Sequence, residues 1–247
     1  MATHRSFLFP QAELGDGYLV LDPRESHHLV RVFRARENAN VEVLDGMGTC
    51  FKGRLLAADA KAARIEIDSL ERVEKARIAV TLVQAIPKGK AMDLILRMAT
   101  EIGVSAVQPV FASHGEVCIT GERLEAKIDK WRITMIEASK QCGVKWLPEL
   151  APPLTFEDWL DLPASDDSLR LVASLETSRI SLHKVLSAAP SVSSIQVAVG
   201  PEGDFSANEY AQMRSAKFKP VRLGANVLRA QTAAAYILSV VDQISQK

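Results

Sequence analysis

Apolar and polar positions follow two different rhythms along this chain. As far as Asp68 the pattern is mostly β: GYLVLD, VEVLDG, TCFKGRLLAAD and ARIEID are short runs rich in strand formers, and the Asp-Gly step in LDGMGT predicts a tight hairpin. One helix interrupts, in DPRESHHLVRVFRAR. Asp22 suits its N-cap, Pro23 its first position and Glu25 its third. The strand spacing fits a small closed or partly closed barrel. The charged stretch SLERVEKAR, Ser69 to Arg77, lacks strand alternation and predicts a domain boundary, giving domains 1–72 and 73–247.

Beyond that boundary, strand and helix patterns alternate to the end. IAVTLVQAI, VSAVQPVFA, LRLVASLE, IQVAVG and KPVRLG read as strands. KAMDLILRMATEIG, ERLEAKIDKWRITMIEASKQCG, RISLHKVLSAA, SANEYAQMRSAKF and TAAAYILSVVDQISQ read as helices. Such alternation predicts an α/β domain with a mainly parallel sheet covered by helices. ELAPPLTFEDW and DLPASDDS read as connecting loops.

Ligands of open α/β sheets sit beyond the carboxyl ends of the strands. Three late loops there are unusual: Leu175-Glu176-Thr177, Gly200-Pro201-Glu202-Gly203-Asp204, and Leu223 to Gln231. In the second, Gly200 and Gly203 let backbone approach a ligand, Pro201 stiffens the turn, and Ser206 with Glu209 forms a capping box that starts a helix at once. A stiff turn without a ligand explains the same residues. The third loop, with Gly224 at a strand exit and Arg229 just before an apolar helix, favours a pocket walled by main-chain groups. Leu175, Leu223 and Leu228 would sandwich a ring there, or simply pack in the core.

Composition adds mainly exclusions. The 247 residues carry no net formal charge, so polyanion binding needs a local patch. One candidate is the helix of the first domain. At about 3.6 residues per turn, Arg24, His27, Arg31 and Arg34 share a stripe, while Leu29, Val32 and Phe33 face the opposite way, toward the barrel core. Arg5 and Arg36 extend this cationic ridge, which suits phosphates or is a solvated face. The three cysteines have no zinc spacing and read as free thiols of a reducing compartment. The histidines share no ligand spacing beyond one adjacent pair, so no metal is expected. Neither G-x-G-x-x-G, a P-loop nor G-x-S-x-G occurs. No apolar run is long enough for a membrane span and no signal peptide is evident.

ESHHLVRVFRAR, QAIPKGKAMDLILRMATEIGV, EASKQCG, VGPEGDFS and LGANVLRAQTA stand in the order and spacing of the RsmE family. Over nearly its whole length the chain resembles these 16S ribosomal RNA (uracil-N3)-methyltransferases of the SPOUT superfamily. The resemblance implies a PUA-like β-barrel over 1–72 that binds RNA, then a SPOUT domain over 73–247 with a trefoil knot at roughly 170–247. It implies S-adenosyl-L-methionine as cofactor, no metal, 16S rRNA or the small ribosomal subunit as partner, a homodimer, and a cytoplasmic location. Cofactor contacts are then expected at Leu175, Glu176, Gly200, Pro201, Glu202, Gly203, Phe205, Leu223, Gly224, Asn226, Val227 and Leu228, and RNA contacts at Arg5, Arg24, His27, Arg31 and Arg34.

Uracil N3 must lose a proton before or as it attacks a methyl group. Arg229 is the expected stabiliser of the resulting negative charge, because arginine stays protonated. Glu202 is a second catalytic candidate, with three open roles: ordering its loop, facing the sulfonium, or accepting a proton. Glu137 and Gln141, four apart on one helix face, line an RNA cleft or are plain surface. The chain departs from the family where Asp204 replaces a usual Gly, Gln231 a usual Glu, and Asn226 stands near a usual Arg. These departures motivate the alternative of a non-catalytic RNA-binding or ribosome-assembly protein that keeps the fold.

Overall fold

Strand pairing in the N-terminal part follows its apolar alternation. In the computed structural model, which describes residues 3–116, 118–163, 165, 167–176, 179–188 and 192–245, the strands there are β1 (His4–Phe7), β2 (Glu13–Leu14), β3 (Tyr18–Val20), β4 (Asn40–Leu44), β5 (Thr49–Ala57) and β6 (Arg64–Arg72). Among the described residues they form one six-stranded sheet, ordered β1-β4-β5-β6-β3-β2, parallel only between β1 and β4. The hairpin expected at Asp-Gly joins β4 to β5. Gly46 and Gly48 take φ of +70° and +94° there, and the Asp45 carboxylate accepts hydrogen bonds from the N–H groups of Met47 and Thr49. Leu19, Leu29, Val41, Val43, Leu55 and Ile65 fill the core of this sheet.

Two expectations change here. Ser69 to Arg72, expected in a boundary segment, are the last part of β6. Only β5 flanks them, since β3 pairs no further than Glu66, so both faces take charged side chains. The helix also departs from a regular stripe. Asp22 caps α1 (Pro23–His27) by accepting from the N–H groups of Arg24 and Glu25, but a π-helical turn follows over His28–Val32. The wider turn rotates the next residues off the buried face. Leu29 is fully buried as expected, whereas Val32 and Phe33, expected in the core, are 56% and 45% exposed.

The chain divides into two compact units, Met1–Lys75 with Ile136–Leu147, and Ala76–Met135 with Pro148–Lys247. The second piece of the first unit is held there by ions. The Lys140 ammonium lies 2.9 Å from Glu25 Oε1, with both side chains at most 5% exposed, and Glu25 Oε2 accepts the N–H of Phe7. Glu137 pairs with Lys140 and with Arg24, and Arg5 bonds Glu42 and the carbonyls of Lys140 and Gln141. Glu137 and the Gln141 main chain are thus parts of this unit's own ion and hydrogen-bond network.

In the second unit the elements are β7 (Ala79–Ala85), α2 (Ala91–Ile102), β8 (Ala106–Phe111), α3 (Glu122–Cys142, its last turns counted with the first unit), β9 (Glu149–Leu150), β10 (Leu154–Thr155), α4 (Phe156–Leu160), β11 (Ser168–Ala173), β12 (Ile180–Ser181), α5 (Leu182–Ser187), β13 (Ser194–Val199), α6 (Ala207–Ser215), β14 (Lys219–Arg222) and α7 (Ala230–Ser245). The strands form a sheet ordered β10-β8-β7-β13-β11-β14-β12, with β9 also on β8, and each pairing is parallel. ELAPPLTFEDW is more than a loop. Thr155 Oγ1 accepts the N–H of Asp158 to start α4, which buries Phe156 and Trp159 against Phe205 and Phe218. Its apolar residues are too few to show a helical period in sequence.

Candidate functional site

The sheet order brings the three unusual loops together. The glycine loop leaves β13 and the Leu223 loop leaves β14. These strands are not neighbours, because β11 lies between them and places its own exit loop in the middle. All three exits share the carboxyl end of one parallel sheet, where a cavity with about 690 Å³ of empty space, open solvent included, is found.

Leu175 of the first loop, Gly200, Pro201 and Glu202 of the second, and Leu223, Gly224, Asn226, Val227 and Leu228 of the third line it. Four expected residues do not. Glu176 is bound by Arg214, whose Nη1 lies 2.9 and 2.7 Å from its two carboxylate oxygens. Gly203 packs under His114, Phe205 is buried in the core beside Phe156 and Tyr210, and Arg229 is exposed just ahead of α7. Thr177 lies outside the described residues.

Ser174, Arg179 and Arg222 line the cavity without having been expected to, and Asp204, expected only as part of its loop, lines it as well. Asp204 carries a signal in sequence, as a non-glycine where glycine is usual. Its φ is +61°, and its Oδ1 accepts the N–H of Phe205 and the Tyr210 hydroxyl, each at 2.8 Å. Burial and the adjacent Asp204 carboxylate push the Tyr210 phenol above its ordinary range, so it stays a donor. Glu202 Oε2 accepts the N–H of Lys88 at 3.2 Å, which ties the glycine loop to the PKGK segment. Arg179 donates to the carbonyls of Leu175 and Glu176 and closes the first loop.

The wall is therefore main chain and aliphatic side chain, with carboxylates at Glu202 and Asp204 and guanidinium groups at Arg179 and Arg222. Leu175 and Val227 are 49% and 74% exposed and so offer apolar surface at the cavity. A Cβ built on Gly224 meets nothing within 4 Å. The bare backbone and the aliphatic side chains suit the faces and edge of a nucleoside base.

A family model of the RNA methyltransferase domain matches residues 74–242, and one of the RNA methyltransferase PUA domain matches residues 21–68. The chain belongs to the RNA methyltransferase family. Among its relatives is a ribosomal RNA small subunit methyltransferase E of Synechocystis, 29% identical, with 92% of this chain and 73% of that protein aligned. Another, from Aquifex aeolicus, is 28% identical, over 95% and 98% of the two chains. The ribosomal RNA small subunit methyltransferase E of Neisseria gonorrhoeae, solved bound to S-adenosyl methionine, is 28% identical and superposes with a TM-score of 0.87 over 97% of both chains. The fold is thus the PUA-plus-SPOUT architecture of those enzymes.

Behind the glycine loop, the expected capping box is present. Ser206 caps α6, and Glu209 returns a carboxylate oxygen to the Ser206 N–H at 2.7 Å. The other oxygen accepts the N–H and hydroxyl of Ser113, joining the loop after β8 to that after β13. Burial alone would raise this carboxyl, but the hydrogen bonds from Ser206 and Ser113 outweigh it and hold it below its usual range. Glu209→Gln is expected to cost about 1–3 kcal/mol at neutral pH, read from urea midpoints. A depressed folded pKa contributes stability above the unfolded value, and that contribution disappears as pH falls through the folded one. The gap between variant and wild type should accordingly close in acid.

On the first unit, the expected RNA contacts divide. Arg5 and Arg24 are ion-paired within the unit, while His27, Arg31 and Arg34 are exposed. Arg34 follows the π-helical turn with φ of +53°, so the four residues do not form one regular stripe.

Proposed function

We propose that this protein methylates N3 of a uridine in small-subunit (16S) ribosomal RNA, using S-adenosyl-L-methionine held at the three strand exits. The observation that carries the reading is the cavity walled by backbone at the carboxyl ends of β13, β11 and β14, in a chain of the RNA methyltransferase family. Leu175, Leu223, Val227 and Leu228 would hold an adenine ring, with main-chain groups of the second and third loops reading its edge. When bound, the cofactor would supply an electrophilic methyl group on a positive sulfur. Of the three roles open to Glu202, its hydrogen bond from Lys88 favours ordering the loop.

Arg229, exposed and without an ion pair among the described residues, is assigned to the negative charge that spreads over uracil O2 and O4 as N3 loses its proton. Arg229→Ala is expected to lower kcat about 100-fold and leave cofactor Kd within about threefold. A change in Kd alone would make it a binding clamp instead.

The order of β13, β11 and β14 fits a trefoil knot over roughly 170–247. A homodimer would cover the half-exposed Leu94 and Tyr236 of α2 and α7. No helix among the described residues is long and apolar enough to cross a membrane, and none of their side chains forms a metal-holding group of three or more. A small-subunit rRNA substrate would place the enzyme in the cytoplasm, and methyl transfer from a sulfonium calls for no metal. The deciding experiment is transfer of isotope-labelled methyl to unmodified small subunits, followed by nucleoside mass spectrometry. Labelled 3-methyluridine is expected. Cofactor binding without any transfer would favour the non-catalytic assembly protein suggested by Asp204, Asn226 and Gln231.

A further inference from the structure

We propose that Phe33 is a stacking platform for an unpaired RNA base, with Arg31, Arg34 and Arg36 taking the adjoining phosphates. This rests on the reading that the first unit binds RNA and goes beyond it by naming the form of RNA and the residue that grips a base.

The sequence places two large apolar residues, Val32 and Phe33, where an uninterrupted helix would bury them. The backbone does the opposite. Leu29 is fully buried and Ala35 nearly so, while Val32 and Phe33 between them stay in solvent. Two unusual features produce this. Phe33 N–H reaches back five residues to the carbonyl of His28, and Ala35 N–H reaches the carbonyl of Leu29 once Arg34 adopts φ of +53°. A left-handed arginine after a π-helical turn is costly backbone, of the kind that collects at ligand sites.

The exposed ring is also held in place. His28 lies 4.5 Å from it, centroid to centroid, at 52°, and His4 lies 5.6 Å away at 31°. Flanked by two rings and still 45% exposed, Phe33 offers a fixed aromatic surface. Base-on-aromatic stacking uses such a surface and tolerates any base.

Charge identifies the occupant. Arg31, Arg34 and Arg36 fall within six residues of sequence without an intervening carboxylate, and all three are exposed. None is ion-paired among the described residues. Glu37 follows as the nearest acid in sequence, and His27 adds a further exposed basic group. In a chain of zero net charge, a patch that joins an aromatic ring to three uncompensated cations suits a polyanion with ring faces. A duplex offers it phosphates but keeps its bases stacked.

The test uses the full chain and a fluorescein-labelled oligouridylate, with a blunt RNA duplex of equal length for comparison, read by anisotropy over a salt series. Phe33→Leu should weaken single-strand binding about tenfold, leave the salt slope unchanged and spare the duplex; Phe33→Trp should restore affinity. Arg31→Ala and Arg34→Ala should each flatten the salt slope by about one unit. Equal binding of the oligouridylate by wild type and Phe33→Leu would overturn the proposal. So would equal losses on single strand and duplex, or a change of oligomeric state in Phe33→Leu by sedimentation, which would make the patch a protein interface. Cofactor affinity, measured on the same samples, reports the other unit. If it is absent while the Phe33 effect persists, the methyltransferase reading fails and the platform stands.

Discussion

Gly224→Val is expected to abolish measurable S-adenosylmethionine binding while leaving a folded chain. The two halves of that expectation come from one observation. A Cβ at position 224 meets no protein atom within 4 Å, and the residue does not use a left-handed φ, so the fold itself tolerates a side chain there. The space such a side chain enters adjoins the cavity that Gly224 lines. Calorimetry should show Kd raised at least about 100-fold, since a branched group in the wall removes room that no rotamer returns. The thermal midpoint should move by no more than a few degrees. Gly200→Val is a poorer probe. Its Cβ lies 3.1 Å from Asp204 Oδ1 and 3.3 Å from both Asp204 Cα and Phe205 Cδ2, so lost binding there would mix occlusion with a displaced loop. Normal affinity in Gly224→Val would move the cofactor elsewhere.

The parts of this molecule that could be read in advance are those where local chemistry decides. Asp22, Pro23 and Ser206 start helices as their types dictate, Asp45-Gly46 turns a hairpin, and apolar runs at Ala79–Ala85 and Ser194–Val199 become central strands. The three loops that line the cavity were legible because glycine, proline and a strand exit coincide. Their arrangement was not, since nothing local in residues 168–173 places β11 between β13 and β14. Phe33 was misplaced for a related reason. A helical period assumes constant turns, and a single π-helical turn defeats it. Phe205 was expected at the site from the family resemblance, and its ring packs against Phe156 and Tyr210. Least legible was the segment Ile136–Leu147, whose sequence is continuous with a helix of the second unit but whose ions belong to the first.

That last feature yields the second large effect. Lys140→Met is expected to destabilise the first unit by about 3–5 kcal/mol. The replaced ammonium is 5% exposed and sits 2.9 Å from a glutamate that is 1% exposed. Removing one partner of such a pair leaves the other charge buried in low dielectric. For Glu25 the remaining hydrogen bond from Phe7 N–H compensates only in part. Guanidinium unfolding followed by tryptophan fluorescence is suited to this, because Trp146 belongs to the same unit and donates its indole N–H to the Val73 carbonyl. Adding Glu25→Gln to Lys140→Met removes the stranded charge yet keeps an acceptor for Phe7, so the double variant should recover at least about half the loss. If Lys140→Met costs under about 1 kcal/mol, the pair behaves as a solvated surface bridge. The attachment of Ile136–Leu147 would then have to rest on the Arg5 contacts to the carbonyls of Lys140 and Gln141, and Arg5→Ala would become the destabilising change.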